Sequence, residues 1–196
     1  MRQVARALMA VAAVAMTAVA TRAGVVLSSE DWEGATSKTD FANTDYEASN
    51  TGGRGCQIVS ATSYPSNPSP AEGSDPTGQI VRVRGNAAKY FWLRDPLPLA
   101  SGTFTSVEIS YSIMLTGNDI VLQYSALGDF SDTQLVKDHN RTTNSGASPP
   151  TNPPYENGRW YADQSVTLDP ATYDFTDTAK IRWKPSGGAM SHRRFL

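Results

Sequence analysis

Between residues 103 and 115 apolar side chains return at every second position: Val107, Ile109, Tyr111, Ile113 and Leu115 alternate with Glu108, Ser110, Ser112 and Met114. A period of two puts the first set on one face of a long strand, and that face must meet a core. After Thr116-Gly117-Asn118 the pattern resumes over 119–125 with Ile120, Leu122 and Tyr124 on one face, so the two segments predict a β-hairpin around a Gly-Asn turn. Shorter segments of the same kind cover 25–28, 57–61, 79–84, 89–94, 133–136, 159–161, 165–168 and 180–184. Within them Val81 and Val83 oppose Arg82 and Arg84, while Ile181 and Trp183 oppose Lys180, Arg182 and Lys184. That is the alternation of an antiparallel sheet wet on one side. Past the N-terminal segment no stretch carries an apolar stripe at helical spacing. The expectation is an all-β chain of two packed antiparallel sheets, a sandwich or jelly roll.

The N-terminus follows a different pattern. Arg2 and Arg6 precede an uncharged run over 7–20, rich in Ala, Val, Met and Leu, which leads into Ala18-Val19-Ala20 and Thr21-Arg22-Ala23. Positive, apolar and small-residue regions in this order predict a secretory signal peptide over 1–23, with cleavage after Ala23 preferred to Ala20. At ~1.5 Å per residue the run covers about 21 Å as a helix, short of the roughly 30 Å hydrocarbon core. No membrane span is expected once the signal is cleaved. The run also lacks the polar face of a helix belonging to a folded domain. The mature chain, 24–196, is expected to be a single β-sandwich domain, secreted or held at the cell surface.

Cleavage removes Arg2, Arg6 and Arg22 and no acid, so the formal charge moves from -2 to -5. A mildly acidic chain has no basic footprint for a phosphate backbone, so no nucleic-acid partner is expected. Charged residues make up 18% of the chain, below the roughly 25% usual for soluble domains, and the polar bulk of Ser, Thr, Asn and Gly favours strands and turns. Cys56 is the single cysteine. It forbids an internal disulfide or a multi-cysteine metal cluster and reads as a small buried hydrophobe. It also lies far from the cleavage region, so no lipid-anchored N-terminal cysteine is expected. One internal cysteine in an exported chain fits a bacterial source better than a disulfide-rich module, which weakens Asn140-Arg141-Thr142 as a glycan acceptor.

Eight of the twelve prolines fall in two long connections, 63–78 and 140–158. Each reads as a solvated insertion or as the rim of a binding surface, proline limiting its freedom. Neither is an interdomain linker, because the flanking pieces are too small for separate cores.

Candidate chemistry is sparse. His139 and His192 are the two histidines, and the chain has neither a Gly-x-Ser-x-Gly elbow nor a His-Glu-x-x-His helix. Asp138 and His139 are neighbours, so on an extended segment they point to opposite faces and form no oriented base by adjacency. His139 reads as a surface histidine and His192 as part of a frayed basic tail. Glycoside hydrolysis needs two carboxylates at a fixed separation, yet the Glu-x-Asp-x-x-Glu triplet of β-sandwich glucanases is missing. Glu30-Asp31-Trp32-Glu33 is the nearest acidic cluster, with Asp31 and Glu33 sharing a face if the chain is extended there. Loop acids such as Asp129 and Asp132, or Asp174 and Asp177, lack the order of a helical calcium loop and read as solvated turn residues. No catalytic residue, metal ligand or cofactor is assigned, and structural calcium stays open without an assignable site. Among the aromatics, Trp92 and Trp183 read as core anchors. Tyr155 and Trp160, flanking the end of the second Pro-rich connection, are the candidate ligand platform, since aromatic faces stack on the apolar faces of sugar rings.

Ser29-Glu30-Asp31-Trp32-Glu33-Gly34, the segment Ile120-Val121-Leu122-Gln123-Tyr124-Ser125, Val166-Thr167-Leu168-Asp169 and Lys180-Ile181-Arg182-Trp183 follow one another in an order that resembles exported bacterial jelly-roll domains of the concanavalin A-like and carbohydrate-binding type. The resemblance spans most of the mature chain and rests on framework residues, so it implies fold more than activity. It implies a non-catalytic module binding glycan or another extracellular polymer. Such domains close with an Ile-Asp-Asp-Val-like strand, and the residues after Trp183 do not alternate that way. The expected sandwich therefore lacks its last strand, leaving an edge that another chain can pair with. Two alternatives stand beside the binding module: a structural or adhesive surface protein joined through such an edge, and a β-sandwich glycosidase with an unrecognised carboxylate pair.

Overall fold

The computed structural model describes residues 17–20, 25–30, 32–37, 39–51, 55–67, 69–83, 89–100, 104–116, 119–139 and 155–186. Most of the expected signal peptide, the Gly117-Asn118 turn, residues 140–154 of the second Pro-rich connection and the tail with His192 lie outside the described residues. Regular structure within them is strand, apart from one 3-10 turn at Ala61–Ser63: β1 (Thr17–Ala20), β2 (Val25–Ser29), β3 (Tyr46–Ala48), β4 (Cys56–Ser60), β5 (Gln79–Val83), β6 (Phe91–Leu93), β7 (Val107–Met114), β8 (Ile120–Ser125), β9 (Gln134–His139), β10 (Trp160–Leu168) and β11 (Lys180–Pro185). A four-stranded sheet runs β10-β7-β1-β2, a five-stranded sheet β3-β6-β11-β8-β9, and β4 pairs with β5. Every strand pairing is antiparallel.

The inner faces of the sheets share one apolar cluster, the arrangement consistent with a β-sandwich. Tyr111 of β7 meets Trp183 of β11 with ring centroids 4.8 Å apart. At one end of that core Trp32, Phe41, Tyr46 and Phe91 pack edge to face or tilted against one another.

The expected hairpin between β7 and β8 is not formed. β7 pairs with β10 and β1, whereas β8 pairs with β11 and β9, so the chain crosses from one sheet to the other between them. At the crossing Leu115 O accepts from Gly158 N and Asp119 O from Ser186 N, at 2.8 and 3.0 Å. Alternation decides which side chains face inward and leaves the pairing partner open, and an arch between facing layers buries both apolar faces. The segments expected at 159–161 and 165–168 are one strand. A register shift between Tyr161 and Gln164, with Asp163 at φ 55°, lets β10 continue past the irregularity.

Glu30 explains the acidic cluster. Its buried carboxylate accepts the backbone N–H of Trp32 at 2.7 Å and of Asp45 at 2.6 Å, tying the end of β2 to the start of β3. Trp32 takes φ 63° and is fully buried, so the chain turns here where extended backbone was expected. The Glu33 carboxylate is turned to the Gln79 N–H at 3.0 Å, and Asp31 lies outside the described residues.

The first Pro-rich connection is not a free insertion. It runs beside β10: Ala71 N–H donates to Trp160 O at 2.8 Å, Ala162 N–H to Glu72 O at 3.2 Å, and Arg159 Nε to Ser69 O at 2.8 Å. Gly73, at φ 68°, makes this approach feasible, since a Cβ there would lie 2.5 Å from that of Ala162. The connection thus covers a sheet edge that would otherwise present unpaired backbone.

β1 belongs to the segment read as signal peptide. Its backbone lies between β7 and β2, Thr17 opposite both Ser110 and Ser29 and Ala20 opposite both Val107 and Val25.

Replacing Glu30 by Ala should lower stability by about 1–3 kcal/mol, because it strips buried N–H groups of their acceptor. Urea unfolding followed by tryptophan fluorescence measures this, and an unchanged midpoint would refute the role given to Glu30.

Candidate functional site

Strand alternation in the five-stranded sheet sends Phe91, Leu93, Ile181, Trp183, Leu122 and Tyr124 into the core. Their neighbours must then face out. Registers Glu47↔Trp92, Trp92↔Arg182, Arg182↔Gln123 and Gln123↔Leu135 set five outward side chains, one from each strand, in a single row across the sheet. With strands ~4.8 Å apart the row extends about 19 Å.

Around Arg182 the row is built from rings. Its guanidinium lies 5.2 Å from the Tyr90 centroid and 4.6 Å from that of Phe130, and its Nε donates to Gln123 Oε1 at 2.8 Å. Tyr90 also stands beside Trp92, the centroids 5.5 Å apart and the planes tilted by 46°. Phe130 is placed by the turn between β8 and β9, where it adopts φ 63°. That turn is held by its own acids: Asp132 accepts from Ala126 N and Leu127 N at 3.0 and 3.1 Å, and Asp129 accepts from Ser131 N at 2.9 Å. These acids therefore shape the loop that carries a ring to the face. At the far end Glu47 forms an ion pair with Arg94 at 3.6 Å. Partial burial draws Arg182 below the usual arginine range, with Tyr90 acting the other way. It draws Lys184 below the usual lysine range too, with Arg182 adding to the effect.

Trp92 was expected in the core and is half-buried on the outer face. In the three-residue strand Phe-Trp-Leu only the flanking positions can face inward, so the tryptophan is left outside. The alternation that marked Lys180, Arg182 and Lys184 as outward was the signal for it.

Tyr155 and Trp160 are interior. Trp160 is fully buried and its Nε1 donates to Tyr64 O at 2.9 Å under the first Pro-rich connection. Tyr155 is 5% exposed, packed on Tyr161 at 4.8 Å and on His139 at 5.2 Å. Both rings are engaged by the protein itself, so no ring face is left for a dissolved sugar.

His139 departs from the surface position expected of it. β9 runs further than 133–136 and brings His139 opposite Ile120 on the inner side, where it is fully buried. Nδ1 lies 3.0 Å from the Ile120 carbonyl, an acceptor, so Nδ1 carries the proton and Nε2 accepts from the Tyr111 hydroxyl at 2.6 Å. Burial pushes the imidazole down to about 3 from its ordinary 6.5, nearby Lys137 adding to this and the bond to Ile120 opposing it. Cys56 is buried as expected, and burial raises its thiol to about 12. Among the described residues no group of three His, Cys, Asp or Glu side chains converges on a metal position, and no helix is long and apolar enough to cross a membrane.

Comparison with protein-family models, curated proteins and solved structures gave no match for this chain.

The buried histidine sets a pH dependence. Between its ordinary value of 6.5 and about 3, the unfolded chain binds a proton that the folded chain refuses. Stability is therefore fully present above the upper value and falls as pH drops through this window, by at most about 1.4 kcal/mol per pH unit. Urea midpoints at neutral and mildly acid pH should converge in His139→Gln and diverge in the parent. The same acid loss in both chains would remove His139 as its source.

Proposed function

We propose that this chain is an exported, non-catalytic binding module on an antiparallel jelly-roll β-sandwich, and that the outer face of its five-stranded sheet holds an extended glycan or similar extracellular polymer. One observation carries the reading: the register lines Trp92, Arg182 and Gln123 side by side, with the Tyr90 ring against both Trp92 and Arg182. Sugars present apolar C–H faces and a rim of hydroxyls. A tilted aromatic pair takes the former, while guanidinium, amide and carboxylate bond the latter. An open row of about 19 Å suits a chain molecule, whereas small ligands favour concave sites that bury most of their surface. The row holds one carboxylate, Glu47, already paired with Arg94, where hydrolysis needs two flanking the bond. Export is supported by Arg2 and Arg6 ahead of the apolar run and by Ala18-Val19-Ala20 after it.

A second reading, a structural or adhesive surface protein, is favoured by β9. Among the described residues it pairs with β8 alone, and Leu135 on it is 57% exposed. Assembly that grows with concentration, with no affinity for polysaccharide, would choose that reading.

In affinity electrophoresis through polysaccharide gels, Trp92→Ala should weaken retention by about tenfold or more, with little change in melting temperature. Full retention by the variant, or no polysaccharide retaining the parent, overturns the proposal.

A further inference from the structure

The outer face carries a second line of side chains that crosses the aromatic row. Lys180, Arg182 and Lys184 all point outward from β11, about 7 Å apart at two residues per step. We infer that the polymer held on this face is an anionic glycan, one bearing carboxylates or sulfates. The inference rests on the proposed binding face and specifies what that face selects.

Lysines on edge strands are a common guard against unwanted pairing, but β11 is the central strand of five, flanked by β6 and β8. A protective role does not account for cations there. Directly across on β8 stand Ser125, Gln123 and Val121, and across on β6 stands Trp92. Opposite charges across strands stabilise a sheet, yet none of these is acidic. Among the described residues the ion pairs are Arg94 with Glu47 and Arg159 with Glu156, neither on β11. The strand acids sharing this face, Glu47 on β3 and Asp138 on β9, stand on the outermost strands, and the carboxylate of Asp132 in the β8–β9 turn is taken up by Ser125 Oγ and the N–H groups of Ala126 and Leu127. A positive line thus runs down the middle of a protein whose mature charge is negative.

The guanidinium of Arg182 is clamped between Tyr90 and Phe130, and Gln123 holds its Nε. A guanidinium fixed in this way offers its terminal nitrogens as a fork that matches carboxylate or sulfate, at less entropic cost than a free side chain. Lys184 then meets a neighbouring charge along the same chain, and Lys180, whose Nζ also donates to Arg94 O, adds a positive charge fixed at the other end of the line. A neutral glycan would use the rings and leave this line without a function.

The test titrates the full exported protein with polygalacturonate, a sulfated galactan, a neutral xyloglucan and single-stranded DNA, at low and moderate salt. The anionic glycans should bind about tenfold or more tighter than xyloglucan and should weaken as salt rises. Lys180→Gln combined with Lys184→Gln should remove most of that preference and leave xyloglucan binding unchanged. Salt dependence of the parent decides the question independently, should the double variant not fold. Equal, salt-insensitive binding of neutral and anionic glycans overturns the inference and leaves the binding module standing. Tighter binding of DNA than of polygalacturonate overturns the choice of glycan, and no binding of any polysaccharide overturns the module itself.

Discussion

The contact on which the rest of the molecule depends is the junction of Tyr111 with Trp183 and His139, where the two larger sheets meet. Tyr111 comes from β7, Trp183 from β11 and His139 from β9, with ring centroids 4.8 to 5.6 Å apart. The hydrogen bond from Tyr111 satisfies His139 Nε2 in the interior, and losing Tyr111 would strand that nitrogen away from water, whereas the Tyr111 hydroxyl also meets Tyr155. Anchoring Trp183 inward also decides what happens on the opposite side of its strand. With a period of two, Arg182 and Lys184 must face out, and the antiparallel register then brings Trp92 and Gln123 alongside Arg182. The chemistry of the outer face is in this sense a consequence of how the core is closed.

The distinction between facing and pairing separates what could be read in the sequence from what could not. Facing is local, so the alternation over 107–111 and 180–184 matches the buried sides of those strands, whereas Ser112 and Met114, read as the opposite face of the first, are buried as well. Pairing is non-local. The Gly-Asn segment after β7 has the residues of a tight hairpin, yet β8 pairs with β11 and β9 and β7 with β10 and β1. The aromatics failed for a related reason. Tyr155 and Trp160 lie close to a long loop in sequence, which pointed to a rim. In space Trp160 is roofed by the first Pro-rich connection, whose bonds to β10 join residues some ninety positions apart. Trp92 was placed in the core on residue type alone. The alternation of its own strand, Phe91 and Leu93 in and Trp92 out, held the better answer. Nothing local marks His139 as buried, because its burial follows from the length of β9 and its register with β8.

The acids tell the same story. Read as a list, Glu30 to Glu33 and Asp129 to Asp132 are candidates for calcium or for catalysis. The carboxylates of Glu30, Glu33, Asp129 and Asp132 instead accept backbone N–H groups at turns and strand ends, as Glu30 does for Trp32 and Asp132 for Ala126 and Leu127. Short polar side chains satisfy the donors that an abrupt turn exposes. In the second case the turn also delivers Phe130 to Arg182, so a residue with no chemistry of its own fixes the geometry of one that has it.

β1 raises a question of strand direction. It is antiparallel to both of its neighbours, which makes β7 and β2 parallel to each other across it. Removal of 1–23 by a signal peptidase would take β1 away and leave Val107–Ser110 without a partner on that side. The strand nearest to hand is β2, and a sideways step would bring it to β7 in parallel, with evenly spaced, slanted bonds that are slightly weaker per residue than the antiparallel ones lost. Alternatively an antiparallel strand from elsewhere could take the vacant position with the register that β1 now shows. The buried side chains of Val107 and Ile109 belong to the core either way. Processing would therefore alter the hydrogen bonding along one side of β7, while the five-stranded sheet and its outer face, which share no strand with β1, keep their register.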